Sequence, residues 1–106
     1  SQLSEKRAIR EAIELQKERE RTGYRVELQW EEPDMANASS PQREAARSLM
    51  RGRFARYYGP WLRRSLTGLS LHEAECQGRR MARDPAKRAV SVIEFTDGQG
   101  VCYRKF

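Results

Sequence analysis

The amino-acid sequence predicts an α+β domain: a small three-stranded antiparallel sheet with three to four helices packed mainly on one face, in the order α-β-α-α-β-β. Three observations carry this. Residues 24–30 alternate apolar and polar side chains with a period of two. Residues 40–64 and 70–83 each open on a helix-start signal followed by an apolar stripe at helical spacing. Residues 89–95 and 101–106 are strand-like and flank Asp97-Gly98, a tight-turn signal. At 106 residues the chain reads as one domain spanning 1–106 with a single modest core.

The first helix is expected over residues 3–22. Ala8, Ile9, Ala12, Ile13 and Leu15 span one broad arc. The other side is charged and mixed in sign, with Arg7 and Glu11, Arg10 and Glu14, and Glu14 and Lys17 at spacings that support an exposed helix. Gly23 follows as its C-cap. In the first strand Tyr24, Val26, Leu28 and Trp30 share a face, and Glu31-Glu32-Pro33-Asp34 is expected to end it. Residues 33–40 are then a loop, and their small, polar composition predicts mobility.

The central helix is expected to start with Ser40 as N-cap and Pro41 at the first helical position. At about 100° per residue, Ala46, Leu49, Met50, Phe54 and Tyr57 fall on one side, with Gly52 facing away. Gly59-Pro60 stops it, and Pro60 opens a short second helix holding Trp61, Leu62 and Leu66. Ser70 and Glu73 form a capping-box pattern for a third helix from Leu71 to about Arg83. Leu71, Ala74, Gly78 and Met81 share its inner face, where Gly78 permits close approach; His72, Cys76, Arg79 and Arg83 point outward with Arg80 beside them.

The terminal hairpin has a loop of two residues or four. With two, Ile93 faces Cys102 and Val92 faces Tyr103. Its first strand is apolar on both faces, which places it centrally, between the return strand and the 24–30 strand. Arg104 and Lys105 protect the outer edge from pairing with other chains.

The formal net charge is +6, and its distribution is uneven. Residues 1–34 sum to −2, residues 41–88 to +8 and residues 89–106 to zero. A concentrated positive field attracts polyanions and speeds their encounter. Nucleic acid is the commonest such partner, and an acidic protein surface or anionic membrane meets the same physics. Arg47, Arg51, Arg53, Arg56, Arg63, Arg64, Arg79, Arg80, Arg83, Lys87 and Arg88 are the candidate phosphate contacts. Tyr57, Tyr58 and Trp61 are candidate stacking groups, although core packing after a helix end is the favoured reading for Tyr57 and Trp61. The structural alternative is that these cations line the core rim with their stems and suit helix C-termini with their charge.

Other chemistries find little support. No apolar run approaches the ~20 residues of a membrane span. Cys76 and Cys102 have no paired spacing, so reduced thiols in a cytoplasmic protein are expected, with a bridge between them left open. His72 and Cys76, four apart, could share a metal, but a closed zinc site needs four ligands, so no metal or cofactor is expected. No phosphate-cradling glycine loop or serine nucleophile elbow occurs. The reading is a nucleic-acid-binding domain using an arginine-rich helical face, as a whole protein or an accessory domain of a longer one. The alternatives are a protein-interaction module docking an acidic partner and, with less support, a small basic ribonuclease using arginine, tyrosine and His72. No catalytic residue is assigned.

Overall fold

The computed structural model describes residues 2–21 and 23–106, with residues 18–21 described by backbone alone. The elements are α1 (Gln2–Arg21), β1 (Arg25–Pro33), α2 (Ser40–Met50), β2 (Trp61–Leu66), α3 (Leu71–Ala82), β3 (Arg88–Thr96) and β4 (Gln99–Lys105). The strands form one antiparallel sheet in the order β2-β1-β3-β4. The fold is therefore α+β with four strands and three helices, one strand more than the sequence predicts.

The alternation in β1 dictates the core. Val26 and Leu28 are buried against Val90 and Val92 of β3, and Ala74 of α3 closes the cluster. Tyr24, Trp30, Leu69, Leu71, Met81 and Phe106 pack around it. Leu28 is opposite Leu66 of β2 and Val92 of β3, so these residues share the face that α3 covers. Of the helices, α3 alone packs broadly on the sheet among the described residues.

The strand runs three residues beyond its expected end at Trp30. Glu31 and Glu32 remain in the ladder because each carboxylate meets an arginine of a neighbouring strand. Arg88 Nε lies 3.2 Å from Glu31 Oε2, and Arg64 Nε pairs with Glu32 Oε1. Pro33 sits last, opposite Trp61, where its missing donor is tolerated. The Asp34 N–H then donates to the Pro60 carbonyl at 2.9 Å.

The largest correction concerns residues 51–66. The helix predicted to reach Gly59 stops at Met50, and the short helix predicted after Pro60 is strand β2. Gly52 adopts φ +74, a left-handed conformation that ends helices and that other residues rarely adopt. Phe54 and Tyr57 consequently lie on no helical stripe. The N-cap is Ser39, one residue earlier than expected. Gln42 N–H donates to Ser39 Oγ at 3.3 Å and Ser39 N–H donates to Gln42 Oε1 at 2.8 Å, a reciprocal capping box. Ser39→Ala removes one half of it and is expected to lower stability by about 1 kcal/mol, read as a lower urea midpoint.

Ser70 caps α3 by accepting from the Glu73 N–H at 3.1 Å. Gly78 is buried, and a Cβ there would lie 2.5 Å from the Phe106 ring, so the glycine is what lets the C-terminal residue tuck under the helix. Asp97 (φ 52) and Gly98 (φ 79) form the two-residue turn, the shorter of the two expected lengths. Ile93 faces Cys102 as that length requires. A bulge then intervenes, and Val92 faces Arg104 rather than Tyr103. A second irregularity, with Ala89 at φ 51, lets Gln29 oppose Ser91 while Glu31 opposes Arg88.

Helix α1 makes few contacts with the other elements, and the molecule is 61 Å long. Ile9, Ile13 and Leu15 are about half exposed on it. The ion pairs expected along α1 are not closed, as befits long side chains surrounded by water. Its expected last residue, Thr22, lies outside the described residues; Gly23 has the φ of +67 that a C-cap favours.

Candidate nucleic-acid interface

The connection from α2 to β2 is Arg51-Gly52-Arg53-Phe54-Ala55-Arg56-Tyr57-Tyr58 followed by Gly59-Pro60. At its start the Gly52 and Arg53 N–H groups donate to the carbonyls of Leu49 and Ser48, both at 2.9 Å. The backbone of residues 54–56 has no hydrogen-bond partner among the described residues. Phe54 is 99% exposed and Tyr58 77% exposed. Arg51, Arg53 and Arg56 are exposed between and beside them.

The far end is anchored. Tyr57 Oη donates to the Pro60 carbonyl at 2.6 Å. Partial burial raises the Tyr57 pKa, and the Asp34 carboxylate pushes it the same way, so the phenol keeps its donor proton. The Tyr57 ring meets Trp61 edge-on, with centroids 5.3 Å apart. The Arg88 guanidinium covers the Trp61 ring at 4.0 Å. Gln42 Nε2 holds the Tyr58 carbonyl at 2.9 Å.

This anchor lies on the sheet face turned away from α3. Glu31 of β1 is opposite both Arg63 of β2 and Arg88 of β3, so the two arginines flank one carboxylate in a single row across three strands. Arg63 also donates to Gln29 Oε1 at 2.6 Å. A cleft of about 290 Å³ crosses the sheet at this level, lined by residues of all four strands including Arg63, Glu31, Ser91 and Lys105.

The candidate cations thus divide into distinct groups. Arg63 and Arg88, from distant segments, converge. Arg64 projects from the opposite face and is held by Glu32; Lys87 is held by Asp84 at 3.1 Å. Arg47, Arg51, Arg53 and Arg56 line the end of α2 and the connection; Arg79, Arg80 and Arg83 lie on the outer side and last turn of α3. Among the described residues none of these seven meets a carboxylate, and no side-chain contact joins the two helical groups.

No family model, curated protein or solved structure matches the chain.

Of the three candidate stacking groups, Tyr57 and Trp61 are occupied with each other and with Arg88, and Tyr58 projects into water. Phe54 is the exposed aromatic that sequence reasoning missed. The signal is Gly52, a helix-ending residue that lies off the apolar stripe. His72 and Cys76 do meet, with Nε2 and Sγ 3.6 Å apart on exposed α3. Among the described residues no group of three or more His, Cys, Asp or Glu side chains is placed to hold a metal ion. Cys76 and Cys102 are both free thiols. Across the sheet from the basic row, Tyr103 sits beside the Glu75 carboxylate, whose charge and hydrogen bond raise the phenol pKa.

Proposed function

We propose that this domain binds nucleic acid through arginine contacts to phosphate. The observation that carries the reading is residues 51–58: three arginines, no acid, and none of the three paired within the described residues. An arginine already neutralised by a carboxylate has little to offer a phosphate, whereas an exposed unpaired one releases counterions when it meets one. The segment runs directly into β2 and the Arg63–Glu31–Arg88 row. Arg79 and Arg80 in the last turn of α3 and Arg83 at its C-cap provide a second basic group that meets no carboxylate among the described residues. The two free thiols suit a reducing, cytoplasmic setting for this activity. No helix among the described residues is long and apolar enough to cross a membrane.

The test is a titration with labelled DNA and RNA oligonucleotides at ~50 mM salt, repeated towards ~200 mM. Saturable binding is expected, with log K falling linearly in log salt at a slope of about −0.7 per phosphate contact on single strands and about −0.9 on duplex. Absence of saturable binding at low salt would overturn the proposal.

A protein-interaction reading has its own observation in α1, whose Ile9, Ile13 and Leu15 have no covering element among the described residues. A stable complex that survives nuclease treatment and is abolished by Ile9→Asp, with the arginine substitutions harmless, would favour it.

A further inference from the structure

We infer that the nucleic acid is single-stranded, and that Phe54 and Tyr58 grip it by stacking on unpaired bases. This rests on the nucleic-acid reading above and specifies its substrate. A phenylalanine side chain left 99% exposed forgoes the favourable burial such a ring obtains in a core or interface. Here two such rings, Phe54 and Tyr58, stand four residues apart with Arg56 between them.

The pairing of flat apolar rings with unpaired guanidinium groups selects among polyanions. In a duplex the base faces are already stacked, and only phosphates and base edges are offered, those of the major groove to a helix or β-ribbon. Residues 51–58 form neither element. A single strand offers phosphates and open base faces together, which is what alternating cations and aromatic rings can use. The backbone of residues 54–56 makes no hydrogen bond among the described residues, so it is not committed to one path and can follow a strand. An anionic bilayer would favour an amphipathic helix with a continuous apolar side. This segment offers two separated rings instead.

The experiment compares a mixed-sequence single strand of about a dozen nucleotides with the corresponding duplex. Anisotropy is measured for the wild type, Phe54→Ala, Tyr58→Ala and the double variant, and anionic phosphatidylserine vesicles serve as a competing ligand. Both side chains are exposed, so the variants are expected to fold normally, checked by circular dichroism. Tighter single-strand binding is expected, weakened roughly tenfold by each substitution with the salt slope unchanged. Quenching of a Trp introduced by Phe54→Trp on single-strand binding would support stacking directly. Equal affinity for both oligonucleotides, untouched by the double variant, would overturn the inference and leave the phosphate-binding proposal standing. Vesicle binding without oligonucleotide binding, or no binding at all, would overturn both.

Discussion

Leu28→Ala is expected to lower stability by roughly 3 kcal/mol, enough to populate unfolded chains under mild conditions. The side chain is fully buried at the centre of the sheet, opposite Leu66 on one side and Val92 on the other. The rest of the buried core is built of valine and alanine except for Leu49, and Leu28 and Val92 are its largest fully buried members. Its buried partners Val26, Ala74, Val90 and Val92 are short and cannot fill the space left, so a cavity term adds to the lost transfer energy. Urea denaturation should show a lower midpoint with an unchanged slope. A loss below about 1 kcal/mol would mean that the core relaxes around the site or that the strand is not where the cooperativity resides.

Arg51→Gln, Arg53→Gln and Arg56→Gln combined are expected to reduce oligonucleotide affinity on the order of a hundredfold at ~50 mM salt. The salt slope should fall in magnitude by about 2, as three phosphate contacts on a single strand predict. These side chains are exposed and meet no carboxylate among the described residues, so the folded state should lose little. Arg88 is a different case. Its removal strands the Glu31 carboxylate and uncovers Trp61, so Arg88→Gln is expected to lower stability more than binding. The combined α3 variant of Arg79, Arg80 and Arg83 to Gln is the comparison that matters. An effect there alone, with the 51–56 variant neutral, would move the interface from the connection to the outer face of α3.

The candidate site is partly legible in the sequence. All three arginines of the connection and both arginines of the sheet row were among the predicted contacts, because charge is a property of residues and survives errors of geometry. Their grouping was not legible. Arg63 and Arg64 are adjacent in sequence, yet the period of two sends them to opposite faces, one beside Gln29 and one onto Glu32. The spacing of Phe54 suits the apolar stripe of a helix, but Gly52 terminates that helix first.

What the residues determine unaided is local. Alternation marks β1, Ser70 and the apolar spacing mark α3, Asp97-Gly98 closes the hairpin, and the excess of positive charge sits between residues 41 and 88. Tertiary structure alone decided the rest. β2 is largely exposed, its order Trp-Leu-Arg-Arg-Ser-Leu has no clean alternation, and it becomes a strand by pairing its backbone with β1. Glu31 and Glu32 stay in the sheet because their arginines arrive from 57 and 32 residues away. Local signals depend on a residue and its near neighbours, whereas ladders and ion pairs depend on which distant segments the core brings side by side.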